Sequence, residues 1–117
     1  MTLQQTDLRQ FTGSSSFYTH PLFRGFVYTE GVQYLAEKGG AYWLIDKIFS
    51  LQLLPDLKAG GFQCWTLKVS KDRTATLACT DGDYRKLYRE EISYTDFPLP
   101  EIRLYCTDRT LLLPSEY

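Results

Sequence analysis

Residues 62–80, FQCWTLKVSKDRTATLACT, are the stretch of sequence that decides the fold class. Apolar side chains alternate with polar ones on either side of the polar run 70–73. Alternation with a period of two indicates strands that bury one face. The polar run between them is typical of a tight turn. The stretch therefore predicts an antiparallel hairpin of two strands, 62–69 and 74–80.

Three later segments repeat this alternation and predict further strands. They cover residues 84–94, 102–107 and 111–113, and turn signals at Asp81-Gly82 and Asp108-Arg109 precede the first and the last of them. Short consecutive strands joined by tight turns are typical of an antiparallel meander. We therefore expect a mainly antiparallel meander sheet of four to five strands.

The region before residue 62 has the spacing of helices instead. Thr29 is placed to cap a helix over 29–38, and apolar residues at helical spacing predict a second helix over 41–53. Thr2 and Gln5 have the spacing of a capping box, which predicts a short helix from Thr2 to Gln10. The aromatic segment 17–28 has no clear period, and we expect it to lie over the core. The fold class is α+β, with N-terminal helices on one face of the sheet of a single domain, 1–117.

Composition excludes several classes of function. The 117 residues include 13 basic and 14 acidic side chains, a balance without the basic excess of nucleic-acid binding proteins. No apolar run approaches the ~20 residues that span a membrane. The N-terminus lacks the basic and apolar parts of a secretory signal, so we expect a cytoplasmic protein with reduced cysteines.

Four segments in this order together resemble a known family. They are residues 10–13 (QFTG), 32–43 (VQYLAEKGGAYW), 94–98 (YTDFP) and 111–117 (LLLPSEY). The chain is similar to a family of small bacterial proteins known only as a domain of unknown function. The resemblance implies a bacterial, intracellular setting, and it brings no activity, cofactor or catalytic residue.

His20 is the only histidine and the first candidate for catalysis. Histidine suits a general acid or base because its ordinary pKa lies near neutrality. One hypothesis is therefore a small hydrolase or transferase in which His20 works with Glu30, Glu37 or Asp46. The simpler interpretation, which we favour, is a loop histidine hydrogen-bonded to the backbone.

The cysteines and glycines indicate neither a metal nor a cofactor. Cys64, Cys79 and Cys106 have no spacing of the C-x₂₋₄-C kind, and Cys79 and Cys106 fall on the apolar sides of their strands. A buried cysteine is usually a small apolar residue rather than a nucleophile. No glycine pattern is typical of phosphate binding. We therefore expect no metal and no cofactor.

An off-pattern group of aromatic residues gives the leading hypothesis. Tyr42 and Trp43 lie off the apolar stripe of the second helix, and Tyr28 belongs to the aromatic segment before it. Such residues mark a surface for a partner or a ligand, unless the N-terminal segment covers them. We expect a non-enzymatic binding or protein-interaction module, with a homodimer, another protein or a small ligand as the partner.

Overall fold

In the computed structural model, the hairpin predicted over 62–80 lies inside a larger sheet. The structure describes residues 3–12, 16–58, 61–83 and 85–117, without the side chains of Asp56 and Lys58. The helices are α1 (Gln5–Leu8), α2 (Glu30–Gly39), α3 (Tyr42–Leu51) and α4 (Pro55–Lys58), and a 3₁₀ helix spans Pro114–Glu116. The strands are β1 (Phe17–Thr19), β2 (Val27–Thr29), β3 (Gln63–Val69), β4 (Ala75–Thr80), β5 (Lys86–Ile92), β6 (Glu101–Thr107) and β7 (Thr110–Leu112).

The described strands form one mixed sheet in the order β1-β2-β7-β6-β3-β4-β5. Strands β3, β4 and β5 follow one another as antiparallel neighbours, and β6 returns to pair antiparallel with β3. This arrangement is a Greek key, in which the fourth strand lies beside the first. Strand β7 then forms a hairpin with β6, and β2 joins β7 in parallel.

The α+β class is confirmed, but the expected meander of four to five strands is too small. The sheet has seven strands. Two of them, β1 and β2, lie at the two ends of the aromatic segment 17–28, where we expected no regular element. Each has three residues, too few for a clear alternation. The meander also fails after β5, because the connection 93–100 is longer than a hairpin turn and buries Phe97.

The two principal helices begin and end close to their predicted bounds. The Thr29 hydroxyl accepts a hydrogen bond from the Val32 N–H and caps α2, as the sequence predicts. Gly40, with φ of 62°, ends α2 in the left-handed region that favours glycine. The short first helix covers only Gln5–Leu8; Thr2, its expected cap, and Tyr84, the expected start of β5, lie outside the described residues.

The core lies between the helices and one face of the sheet. Trp65, Leu77 and Leu104 lie on this face and are buried with Leu44 and Ile48 of α3. No helix within the described ranges is long and apolar enough to cross a membrane. Outside this core, α3 contacts the residue after β1 through His20 and Asp46, and contacts β5 through Lys47 and Glu90.

Candidate functional site

Three tyrosines, Tyr18, Tyr28 and Tyr42, lie together where the β1–β2 hairpin approaches α3, and we name them the tyrosine surface. Tyr18 and Tyr28 are paired across β1 and β2, and their rings stack with centroids 5.6 Å apart. Tyr18 is 40 % exposed and Tyr42 is 45 % exposed. Burial raises the pKa of Tyr28, and the neighbouring Tyr42, Tyr18 and Asp46 add to the shift. Tyr28 therefore stays protonated at physiological pH.

Tyr42 and Trp43, which the sequence groups together, have different surroundings. The Tyr42 hydroxyl accepts a hydrogen bond from Gln33 and remains on the surface. Trp43 is half-buried and packs against the core. One turn later, Lys47 donates a 2.8 Å hydrogen bond to Glu90 of β5, so this side of α3 faces the sheet. The aromatic pair therefore does not form one exposed platform, and Tyr42 is its accessible member.

His20 follows β1 directly and links the aromatic segment to α3. Its Nε2 lies 2.6 Å from Oδ1 of Asp46, and its Nδ1 accepts a 3.0 Å hydrogen bond from the Leu22 N–H. Because Nδ1 accepts this bond, Nε2 carries the proton of the neutral ring and donates a hydrogen bond to Asp46. The ring also packs on Phe23 and Phe49, with centroids 4.8 and 5.8 Å away. Both ring nitrogens are therefore engaged in hydrogen bonds within the protein.

Of the three carboxylates considered with His20, the structure brings one, Asp46, into contact with it. Glu30 lies in the first turn of α2. Glu37 is exposed and accepts a 3.3 Å hydrogen bond from Gln33 one turn earlier. Three cavities among the described residues are lined by side chains other than His20 and Asp46. The pair thus joins a loop to a helix, away from those cavities.

The three cysteines lie on the faces of the sheet that the strand alternation predicts. Cys79 and Cys106 are buried in the core, and Cys64 is half-buried on the opposite face of β3. Burial raises the pKa of the Cys79 and Cys106 thiols to about 12. A thiol needs a large thiolate fraction to act as a nucleophile. These two cysteines therefore act as apolar core residues.

This difference predicts selective labelling by iodoacetamide at pH 8. With a pKa near 12, only about a ten-thousandth of each core thiol is ionised at that pH, so Cys79 and Cys106 react very slowly. Mass spectrometry of the folded protein should show one adduct, on Cys64, which Cys64→Ser abolishes. In guanidinium chloride all three should react. Labelling of Cys79 or Cys106 as fast as Cys64 in the folded protein would contradict the prediction.

Glu116 has a structural role for which the sequence offers no signal. Its carboxylate accepts hydrogen bonds from the Thr29 hydroxyl at 2.6 Å, the Gly31 N–H at 3.2 Å and the Leu113 N–H at 2.8 Å. We name these four residues the Glu116 clasp. A carboxylate at the N-terminus of a helix is stabilised by the helix dipole. The clasp therefore fastens the segment after β7 to the start of α2.

A family model described as a family of unknown function, DUF6876, matches residues 2–117 of the chain. No curated protein and no solved structure matches the chain. Within the described ranges, no three His, Cys, Asp or Glu side chains group as metal ligands do. The match extends over nearly every position and confirms the resemblance to a family of unknown function. The chain therefore belongs to the DUF6876 family.

Proposed function

We propose that the protein is a non-enzymatic interaction module that pairs with a second copy of itself through β1 and the tyrosine surface. The observation that supports this most directly is the contrast between the two edges of the sheet. Strand β5, at one edge, contains Lys86, Arg89, Glu90 and Glu91, whereas β1, at the other, reads Phe-Tyr-Thr. Charged side chains protect edge strands from pairing, and β1 has none.

The surroundings of β1 favour pairing as well. All three of its residues are exposed, and no described strand lies on its outer side. Tyr18 stacks on Tyr28, and Tyr42 lies near enough to Tyr28 to raise the pKa of its hydroxyl. Tyrosine is enriched in protein interfaces because it presents a large, rigid contact area with a polar end. The aromatic area thus extends the contact beyond three residues of backbone.

The sequence of β1 is suited to a two-fold symmetric contact. In an antiparallel pair centred on Tyr18, this residue faces its own copy, and Phe17 faces Thr19 of the partner. Pairs of aromatic side chains across strands stabilise a sheet, and no like charges oppose each other here. Symmetric dimers are the commonest soluble oligomers, and a self-complementary patch is their requirement. A short strand with an aromatic border favours a weak, concentration-dependent dimer.

The hydrolase or transferase hypothesis has less support from the geometry. A general base needs a ring nitrogen free to accept a proton from a substrate. In His20, Nδ1 accepts the Leu22 N–H, and Nε2 faces Asp46. This arrangement favours a positioning role, in which the pair holds the segment after β1 against α3. His20 then contributes to the proposed interface by orienting it.

We place the module in a bacterial cytoplasm, as the sequence resemblance implies. Its three cysteines are free thiols, and cytosolic proteins keep their cysteines reduced. In a reducing cytoplasm, the two copies cannot be joined by a disulfide, so their association has to be non-covalent. The dimer is accordingly expected in the presence of reductant.

The experiment is sedimentation equilibrium under reducing conditions, from micromolar to millimolar protein. The average mass should rise toward that of two chains as the concentration increases. Tyr18→Lys should keep the protein monomeric throughout, because two lysines would oppose each other at the centre of the symmetric pair.

Tyr94→Lys is the matched control, since Tyr94 is exposed and lies outside β1. It makes the same change of charge and size and should dimerise like the parent chain. A mass that stays at one chain up to millimolar concentration would contradict the proposed dimer. Equal weakening by both variants would contradict the assignment of the interface to β1.

A further inference from the structure

We propose that the cavity between the end of α3 and the β6–β7 turn binds a small organic anion, one with a phosphate or carboxylate group on an apolar body. The cavity has a volume of about 750 Å³, which lies within the range of small-molecule sites. Two arginines, Arg24 and Arg109, line it together with Phe26, Leu53 and Gln63. None of these residues belongs to the tyrosine surface, so this proposal and the proposed dimer can fail separately.

Arg109 is exposed and has no acidic partner among the described residues. Its guanidinium lies over the Phe26 ring, 5.9 Å from the centroid, and donates no hydrogen bond to an acceptor in the described chain. Its Nη1 would be 3.1 Å from a Cβ at position 25, where Gly25 has φ of 88°. A guanidinium that contacts a ring only by a cation–π interaction keeps its N–H donors available for a bidentate contact with an oxyanion.

The backbone at Arg109 is unusual for an arginine. Asp108 and Arg109 form the two-residue turn between β6 and β7, with φ of 52° and 60°. This turn requires the left-handed region at both positions, where Asn-Gly is the usual pair. An arginine costs free energy there that a glycine would not. Strained conformations of this kind are concentrated at functional sites, which supports a role for the arginine side chain itself.

The charges that line the cavity favour an anion. Arg24 and Arg109 contribute two positive charges, and neither takes part in an ion pair within the described ranges. Asp108 is the one carboxylate among the described lining residues. An anion that meets both guanidinium groups would gain charge-assisted hydrogen bonds that water alone does not match.

The remaining walls favour an apolar body on the ligand. Phe26, Leu53 and Leu57 contribute apolar surface, and Leu53 is 75 % exposed at the rim. Gln63 is fully bonded within the protein: its amide pairs reciprocally with Gln52, and its oxygen accepts from the Trp65 indole at 2.9 Å. The floor is therefore rigid, and an inorganic ion alone would leave most of the cavity unfilled.

The test is a titration followed by ¹H–¹⁵N NMR, with phenyl phosphate, benzoate, inorganic phosphate and the neutral benzyl alcohol as probes. Phenyl phosphate or benzoate should bind saturably and shift the Trp65 indole signal, which reports on Gln63. Inorganic phosphate should bind at least about tenfold more weakly than phenyl phosphate, because it lacks the apolar body. Benzyl alcohol should not bind saturably. Comparison of phenyl phosphate with benzoate identifies the preferred acidic group.

Arg109→Gly is the most informative variant, because glycine suits the left-handed backbone. Its melting temperature should equal or exceed that of the parent chain, while its affinity for phenyl phosphate falls at least about tenfold. Arg24→Ala should weaken binding similarly. Arg89→Ala removes the same charge from β5 and should leave affinity unchanged. Absence of saturable binding up to about 10 mM, or equal affinities in Arg109→Gly and Arg89→Ala, would overturn the proposal.

Discussion

Phe97→Ala is expected to lower the free energy of unfolding by about 3–5 kcal/mol, the range observed when a buried phenylalanine is truncated. Phe97 is 0 % exposed, although it lies in the connection between β5 and β6. Its ring packs against Gly39 at the end of α2, where a Cβ would be only 2.9 Å from the ring. The truncation therefore opens a cavity between the connection and a helix that neither can readily fill.

The backbone around Phe97 is held firmly, which limits relaxation around such a cavity. Arg73 donates from Nε to the Thr95 carbonyl at 3.1 Å and from Nη2 to the Phe97 carbonyl at 2.7 Å. The Thr95 N–H in turn donates to the Arg73 carbonyl. Because the surrounding structure cannot collapse, the full cost of the cavity should be observed.

Urea and thermal unfolding followed by circular dichroism would measure this effect. The melting temperature should fall by about 10–20 °C, given the size of the chain. Tyr94→Ala is the matched control from the same segment, because Tyr94 is 68 % exposed. It should change the free energy of unfolding by no more than about 0.5 kcal/mol. Comparable losses in the two variants would show that the connection is not anchored by Phe97.

Local sequence patterns predicted those parts of the fold that depend on neighbours along the chain. The β3–β4 hairpin and helices α2 and α3 have enough residues for their periods to be evident. Strands β1 and β2 have three residues each. Strand β2 joins the rest of the sheet by parallel pairing with β7, which lies more than eighty residues later in the chain. Such pairing leaves no mark in a single sequence.

The same limit applies to the candidate site. Tyr42 stands out because its position contradicts the apolar stripe of α3, and the structure places it on the surface. Trp43 stands out for the same reason, yet β5 approaches that side of the helix, and Trp43 is half-buried. Sequence reasoning grouped His20 with three carboxylates but could not choose Asp46, because the contact depends on where the β1–β2 hairpin meets α3. The sequence predicted the turn at Arg109 but not the cavity beside it, since the cavity depends on Phe26, which is distant in the chain.

Glu116→Ala is expected to lower the free energy of unfolding by about 2 kcal/mol, the second largest effect among the variants considered. The change removes the charged acceptor of the hydrogen bonds from Thr29, Gly31 and Leu113, and water can replace part of what is lost, so we expect a total near the value of one hydrogen bond to a charged group, about 1.5–3 kcal/mol. The clasp is partly buried, which reduces the total. Glu37→Ala, on the exposed surface of α2, is the control and should cost less than about 0.5 kcal/mol.

Gly31→Ala tests whether the position of the carboxylate matters. A Cβ at residue 31 would lie 2.7 Å from the carboxylate of Glu116 and 2.7 Å from the side chain of Leu113. The carboxylate is the end of a flexible side chain and can move, but moving it breaks the bonds of the clasp. We therefore expect Gly31→Ala to cost more than about 1 kcal/mol, although alanine favours a helix over glycine.

The double variant Gly31→Ala, Glu116→Ala distinguishes the two ways in which the new methyl group can act. If the new methyl group acts by displacing the Glu116 carboxylate, the methyl group has little left to disrupt once that carboxylate has been removed. The double variant should then be more stable than the sum of the single losses predicts, by at least about 1 kcal/mol. If the losses add, the methyl group acts through Leu113 alone, and the carboxylate contributes independently of its placement. Urea unfolding of the four proteins measures this difference, and additivity would contradict the clasp as the reason for glycine at position 31.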